Sequence, residues 1–107
     1  MSHELGKQLI KKKKFKEALQ FFKNILQKKP NDLRANFQIG KIYYDLNDIE
    51  KSILFFEKSN QIQPKNPNIL FNLALSLQSV GKIKEAEEKY LNLISINPKD
   101  VKSYYGL

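Results

Sequence analysis

Three prolines recur at a fixed interval in this chain of 107 residues: Pro30, Pro64 and Pro98 are each 34 residues apart. Each is followed two positions later by Asp or Asn, in the segments KPND, QPKN and NPKD. Proline cannot continue a helix, and the side chain of Asp or Asn accepts hydrogen bonds from the free N–H groups at the start of the next helix. The spacing therefore predicts a repeated unit in which one helix ends and another begins.

The internal similarity extends well beyond the prolines, because residues of the same type align throughout the chain at an offset of 34. This repetition predicts three full units, 1–30, 31–64 and 65–98, and the start of a fourth at 99–107. The aligned sets are the aliphatic Leu5, Ile39 and Leu73, the small Gly6, Gly40 and Ala74, the small Ala18, Ser52 and Ala86, and the aromatic Phe22, Phe56 and Tyr90.

Within each unit the apolar residues have the spacing of two helices. In the second unit Ile39, Ile42, Tyr43 and Leu46 follow each other at steps of three or four, which places them on one helix face. A second helical pattern begins after a short break, LND at 46–48, which aligns with VGK at 80–82 and KKK at 12–14. Gly81 and Asn47 favour a left-handed helix C-cap, and Lys13 suits it less well. Each unit is therefore predicted to be a helix pair.

This pattern resembles the tetratricopeptide repeat family, whose 34-residue units carry W-x2-L-G-x2-Y, then A-x3-F, then P. The resemblance implies an all-α fold: one domain over residues 1–107, built as an α-solenoid of antiparallel helix pairs that coil into a right-handed superhelix. The matching segments are LGKQL, ALQFF and Pro30, then IGKIY, SILFF and Pro64, then LALSL, AEEKY and Pro98, with Asn36, Leu70 and Tyr104 in the place of the tryptophan.

The last residues, VKSYYGL at 101–107, match the start of a fourth unit. A solenoid needs a polar end unit, so this helix is either a short cap or part of a longer array; we expect the chain to be cut from something longer. An unfinished helix would expose Val101, Tyr104 and Leu107. The sequence then predicts concentration-dependent self-association through the C-terminal edge.

The resemblance also implies a function, which is to bind an extended peptide or a partner's helix in the concave groove lined by the first helix of each pair. Phe37, Phe71 and Tyr105 recur along one wall, either as an aromatic contact surface for the ligand or as packing against the neighbouring unit. Beside them, the amides of Gln38 and Asn72 can pair with a peptide backbone. The predicted groove residues are Lys7, Arg34, Phe37, Gln38, Lys41, Tyr44, Phe71, Asn72, Leu75 and Tyr105.

Some members of the family hold the C-terminal carboxylates of chaperones with a Lys, Asn, Asn, Lys, Arg set. The aligned residues here are His3, Lys7, Gln38, Asn68 and Asn72, and none of the five matches. A chaperone-tail site is therefore not expected. The cations Lys7, Arg34 and Lys41 still favour an acidic ligand.

The net charge of +8 is concentrated in the first unit, where nine Lys face only Glu4 and Glu17. The run KKKK at 11–14 is either a patch that binds a polyanion or a solvated turn in a lysine-rich chain. We favour the turn, so nucleic acid is not an expected partner.

Several classes of chemistry are disfavoured by composition. The chain has no cysteine and one histidine, His3, which we expect to be exposed near the N-terminus; neither a metal nor another cofactor is expected. No Gly-rich phosphate loop is present, so neither enzymatic activity nor a small-molecule substrate is expected. No apolar run reaches about 18 residues, so no transmembrane helix is predicted and the cytoplasm is the expected location.

The sequence thus favours a protein–protein interaction scaffold. One alternative is a non-catalytic substrate-recognition or regulatory arm of a larger enzyme, such as a glycosyltransferase or sulfotransferase. A second alternative is an RNA or membrane-surface binder that acts through the basic first unit.

Overall fold

The computed structural model of the protein describes residues 2–96, which form six α-helices and no β-strand. The helices are α1 Ser2–Lys11, α2 Phe15–Lys28, α3 Leu33–Asp45, α4 Ile49–Ile62, α5 Pro67–Ser79 and α6 Ile83–Ile96.

Helices that are adjacent in sequence pack against each other along the whole array. The pairs α1/α2, α3/α4 and α5/α6 are each closed by a short turn, and α2 contacts α3 as α4 contacts α5. In addition, α3 contacts both α1 and α5, so the first helices of the three pairs lie side by side. Each pair therefore packs on the next, which confirms the predicted all-α solenoid.

The two proline motifs within the described range separate the helix pairs as predicted. Helix α2 ends at Lys28 and α4 at Ile62, in each case two residues before the proline. Asp32 Oδ1 accepts a hydrogen bond from the Ala35 N–H at 2.8 Å, and Asn66 Oδ1 accepts one from the Asn68 N–H at 2.9 Å. Both side chains are thus N-caps, of α3 and α5 respectively.

The turn inside each pair has the same backbone conformation in all three pairs. Its central residue is left-handed: φ is 60° at Lys13, 64° at Asn47 and 84° at Gly81. The following N–H donates back to a carbonyl five residues earlier, as in a Schellman motif. These bonds run from Lys14 to Leu9 at 2.8 Å, from Asp48 to Tyr43 at 2.8 Å and from Lys82 to Leu77 at 2.9 Å.

Among residues 2–96, the buried apolar side chains form two clusters, and each of them joins neighbouring helix pairs. In the first, Phe22 of α2 packs with residues of α3 such as Ile39; in the second, Phe56 of α4 packs with residues of α5 such as Leu73. All four side chains are fully buried. Burial between pairs, at roughly 1.5–3 kcal/mol for each large side chain, is thus what holds the array together.

Two of the small residues allow the helices of a pair to approach closely. A Cβ atom added to Gly40 would lie 2.6 Å from Cε1 of Phe56, and one added to Gly6 would lie 2.4 Å from Cζ of Phe22. These distances are well inside van der Waals contact, and the rings are buried and cannot move freely. The glycines are therefore required by packing.

The start of the fourth unit lies outside the described residues, and with it Pro98, Asp100, Val101, Tyr104, Tyr105 and Leu107. The fourth unit, its exposed apolar residues and the groove position of Tyr105 stay predictions. The division of the chain into units 1–30, 31–64, 65–98 and 99–107 also stays a prediction. Below, "pair 1", "pair 2" and "pair 3" mean α1/α2, α3/α4 and α5/α6.

Candidate functional site

The surface formed by α1, α3 and α5, called the inner groove from here on, contains an open depression of about 340 Å³. All three helices contribute to it, so its shape depends on the stacking of the pairs. Its lining residues are Lys7 of α1, Leu33, Arg34, Phe37 and Gln38 of α3, Asn66 before α5, and Asn68 and Ile69 of α5.

The depression brings together four of the predicted groove residues, Lys7, Arg34, Phe37 and Gln38. Their convergence follows from the repeat: Lys7 and Arg34 lie on successive first helices that pack side by side. Four lining residues are absent from the predicted groove residues: Leu33, Asn66, Asn68 and Ile69. Asn66 was predicted only as a helix cap, and its place before α5 also brings it to the edge of the depression.

The charge of the depression is positive. Lys7 and Arg34 are exposed, and no carboxylate lines the depression. Among residues 2–96, the ion pairs are His3–Asp32, Lys51–Asp48 and Lys89–Glu88, so neither Lys7, Arg34 nor Lys41 has an acidic partner there. The two lining cations, beside the half-buried apolar Leu33 and Phe37, suit a carboxylate attached to an apolar group.

The aromatic residues predicted for one wall are partly used by the core. Phe37 is half-buried, packs against the second core cluster and has its ring centroid 5.6 Å from that of Phe56. Phe71 is half-buried against the same cluster. Both side chains are therefore partly used by the core, and of the two only Phe37 also lines the depression.

The predicted amide pair is also partly engaged. Asn72 Nδ2 donates to the carbonyl of Asn68 within its own helix at 2.7 Å, which leaves Oδ1 as the acceptor for a ligand. Gln38 is half-buried beside Phe37 and lines the depression. Asn72 is accordingly better suited to accept a hydrogen bond from a peptide N–H, through Oδ1, than to donate one to a peptide carbonyl.

The remaining predicted groove residues lie beyond the depression, toward the other end of the first helices. Lys41 is exposed, and its Nζ lies 5.7 Å from the ring centroid of Phe37. Tyr44 and Leu75 are half-buried. Tyr105 lies outside the described residues, so nothing is assigned to it.

The prediction that His3 is exposed is wrong. Its side chain is 20 % exposed, its ring stacks on Phe22 with centroids 6.1 Å apart, and Nε2 lies 3.3 Å from Asp32 Oδ1. His3 is 34 residues before Phe37 and makes the contact with Phe22 that Phe37 makes with Phe56. It therefore continues the aromatic wall into pair 1.

Two further observations concern residues 2–96. No group of three or more His, Cys, Asp or Glu side chains in this range is arranged to hold a metal ion. Within the same range, no helix is both long enough and apolar enough to cross a membrane.

Comparison with known proteins places this geometry in a family. Residues 11–93 match the family model described as anaphase-promoting complex, cyclosome, subunit 3. A TPR repeat-containing protein of Methanocaldococcus jannaschii is 34 % identical over 83 residues, which is 71 % of this chain and 25 % of the relative. The protein O-mannosyl-transferase TMTC3 of Homo sapiens is 27 % identical over 96 % of this chain and 13 % of its own length. The chain thus spans a quarter or less of these relatives.

Among solved structures, the first TPR domain of Spaghetti, bound to an HSP90 peptide, superposes with a TM-score of 0.84. The match covers 98 % of this chain and 90 % of that one at 13 % sequence identity, so it shows the shared fold alone. Domains of this fold generally serve as scaffolds for protein–protein interactions. The family model, the repeat-containing relatives and the stacked helix pairs agree, and the chain belongs to the tetratricopeptide repeat family.

Proposed function

We propose that this protein is an interaction scaffold that binds an extended, acidic peptide segment of a partner protein in the inner groove. The observation that carries the proposal is the depression between α1, α3 and α5, where Lys7 and Arg34 have no acidic partner among residues 2–96 and lie beside the half-buried apolar Leu33 and Phe37. A carboxylate of the peptide pairs with these cations, and its neighbouring apolar side chain covers Leu33 and Phe37.

The rest of the groove supports a ligand that continues past pair 2. Asn72 Oδ1 accepts a backbone N–H of the peptide, and the half-buried Leu75 offers an apolar contact. The described groove positions of α5, from Asn68 to Ser79, carry no charged side chain. The peptide is therefore acidic where it crosses α1 and α3 and uncharged where it crosses α5.

The proposal is tested with an array of random peptides and a double charge reversal, Lys7→Glu with Arg34→Glu. The matched control is Lys16→Glu with Lys84→Glu, which makes the same charge change at exposed positions of α2 and α6. We expect the wild type and the control to retain acidic peptides, and the groove variant to lose them by at least about tenfold, which corresponds to 1.4 kcal/mol.

Two results would contradict the groove assignment. One is that no peptide is retained. The other is that both double variants lose binding equally and that RNA or heparin, rather than peptide, is retained only at low salt; the lysines of pair 1 would then bind a polyanion without sequence preference.

A second candidate is the substrate-recognition arm of a larger enzyme, and the similarity to part of an O-mannosyl-transferase favours it. In that case the groove would bind the polypeptide that is to be modified. The mass of the natural protein, isolated from its own cells with an antibody to this chain, tests the idea. A mass equal to the 12.5 kDa of these residues would contradict it.

A further inference from the structure

The depression in the inner groove differs in charge from four other depressions on residues 2–96. Its lining contains Lys7 and Arg34 and no carboxylate. The other four are each lined by at least one carboxylate: Asp32 in the first, Asp48 and Glu50 in the second, Glu87 in the third and Glu50 in the fourth. An anionic group that enters the inner groove therefore meets two cations and no lining carboxylate.

Two acidic residues close in sequence to the lining do not pair with its cations. Asp32, directly before the lining residues of α3, uses Oδ1 to accept a hydrogen bond from the Ala35 N–H at 2.8 Å. Glu4, one turn before Lys7 on α1, is exposed. Neither carboxylate forms an ion pair with Lys7 or Arg34. The positive charge of the depression is thus not neutralised by these neighbours.

Four side chains of the lining can donate hydrogen bonds to one anion. The ammonium of Lys7 and the guanidinium of Arg34 have only donor groups. The side-chain amides of Gln38 and Asn68 make no hydrogen bond within residues 2–96, so their NH2 groups are open to a ligand. Asn66, by contrast, uses both ends of its amide in hydrogen bonds to the protein.

A phosphate monoester matches these groups better than a carboxylate does. It carries about 1.5–2 negative charges at pH 7 and three acceptor oxygens, whereas a carboxylate carries about one charge and two oxygens. A guanidinium pairs with phosphate through two parallel hydrogen bonds, and an ammonium adds a second positive charge. The volume of about 340 Å³ lies within the range of small-ligand pockets, roughly 300–1,000 Å³, which leaves room for the group and the side chain that carries it.

The rest of the groove favours a single phosphate on a peptide over a polyanion. Helix α5 contains no charged residue, so the cations that a nucleic-acid backbone requires do not continue across pair 3. The half-buried Leu33 and Phe37 lie beside the two cations and offer an apolar contact to the residue next to the phosphate. One anionic group within an otherwise uncharged segment therefore fits the groove best.

We infer that the acidic residue bound in the depression is a phosphorylated serine or threonine of the partner protein. Its phosphate pairs with Lys7 and Arg34 and accepts hydrogen bonds from the amides of Gln38 and Asn68. Phosphorylation of the partner by a protein kinase then controls binding, because the unmodified hydroxyl brings no charge to the two cations. The inference rests on the proposed function, since it specifies the residue that the groove recognises.

Three matched peptide arrays test the inference with the whole protein. The arrays carry the same random sequences and differ only at a fixed central residue, which is phosphoserine, glutamate or serine. We expect the phosphoserine peptides to be retained, with dissociation constants at least about tenfold lower than those of the glutamate peptides, as measured by fluorescence anisotropy. The serine peptides should bind most weakly, because they lack the charge.

The arrays separate the inference from the proposed function. Glutamate peptides that bind as tightly as phosphoserine peptides would overturn the inference and leave the acidic-peptide scaffold intact. Retention of phosphoserine peptides alone would support both. No retention on any of the three arrays would overturn both.

A carboxylate introduced into the depression tests the place of binding. We expect Asn68→Asp to lower the affinity for phosphoserine peptides by at least about tenfold, because it adds a negative charge beside the phosphate. Asn68 is the second residue of α5, where aspartate is favourable, so the variant should fold. The matched control Asn92→Asp makes the same change at an exposed position of α6 and should bind as the wild type does. A loss of equal size in both variants would overturn the assignment to the depression.

Phosphate groups also occur on lipids and nucleic acids, and two further probes represent these sources. Vesicles that contain a phosphorylated inositol lipid and single-stranded RNA are each titrated with the wild type and with Asn68→Asp. We expect neither probe to bind as tightly as the phosphoserine peptides. A probe that binds the wild type more tightly than every phosphopeptide, and that Asn68→Asp no longer binds, would overturn the assignment of a peptide ligand.

Discussion

At the scale of single residues, Lys13 occupies a position where the backbone favours glycine. Its φ of 60° matches the left-handed conformation that Asn47 and Gly81 adopt in the other two turns. That conformation costs most residues with a Cβ atom roughly 1–2 kcal/mol. The cost is lower for asparagine, and it is absent for glycine, which has no Cβ atom. Pair 1 therefore carries a local strain that pairs 2 and 3 reduce or avoid.

Replacing this lysine should stabilise the protein. We expect Lys13→Gly to raise the free energy of unfolding by about 0.5–1 kcal/mol, since relief of strain outweighs the greater freedom of glycine in the unfolded chain. Equilibrium unfolding in urea measures it. The control Lys12→Gly, at a neighbouring residue whose φ is not positive, should lower the free energy of unfolding. Equal effects at both positions would show that loss of charge in the lysine run is the cause.

The case of His3 shows what residue-level prediction from sequence misses. Alignment at an offset of 34 places His3 with Phe37, and its ring contacts Phe22 as that of Phe37 contacts Phe56, although His3 was expected to be exposed. Its second partner, Asp32, is 29 residues away and was assigned only to capping α3. Sequence spacing does not reveal that His3 has two partners on two different elements. The 34-residue repeat relates His3 to Phe22, and the capping motif accounts only for Asp32.

At the scale of helices, the starts of α3 and α4 differ in how they are capped. Asp32 accepts a hydrogen bond from the Ala35 N–H at the start of α3, whereas Asp48, at the same place before α4, makes no capping hydrogen bond. The side chain of Asp48 instead lies 3.6 Å from Lys51 Nζ, in an exposed pair. The two aspartates therefore differ in their contribution to stability.

We expect Asp32→Ala to lower the free energy of unfolding by about 1 kcal/mol, the usual loss for an N-cap, and Asp48→Ala to lower it less, because an exposed ion pair contributes little. Thermal unfolding followed by circular dichroism compares the two variants directly. A loss at Asp48 as large as that at Asp32 would refute the assignment of the cap.

The elements themselves could be predicted from sequence to a large extent, and the depression in the groove could not. Prolines, caps and left-handed turn residues act locally, so Pro30, Asp32 and Asn47 mark helix ends in the sequence as they do in the structure. The depression is lined from α1, α3 and α5, so the residues that reach it depend on how the helix pairs stack. Leu33 and Ile69 were not predicted to line it, because a periodic pattern describes one helix at a time.

At the scale of the whole molecule, stability is distributed unevenly because each pair is stabilised in part by packing on its neighbours. Helices α3 and α4 lie between pair 1 and pair 3 and pack on both. Helix α1 packs on α2 and α3, and its Leu5 is exposed. In such arrays, stability is approximately a sum over units and the interfaces between them.

Hydrogen exchange should therefore follow position in the array. We expect amides of α1 to exchange at least about tenfold faster than those of α3 and α4, since local opening of α1 breaks fewer interfaces. Exchange followed by mass spectrometry of peptide fragments measures the difference. Uniform protection from α1 to α4 would mean that the array opens only as one cooperative unit.

The packing of Phe37 and Phe71 between helix pairs also bears on how the specificity of this protein can change in evolution. Both rings pack partly against the second core cluster, and Phe37 also lines the depression, so most substitutions there that would suit a new ligand would also loosen the array. Arg34 and Lys41 are exposed and have no such packing role. New partners would accordingly be acquired by changes at these exposed positions, while the aromatic wall is inherited with the fold.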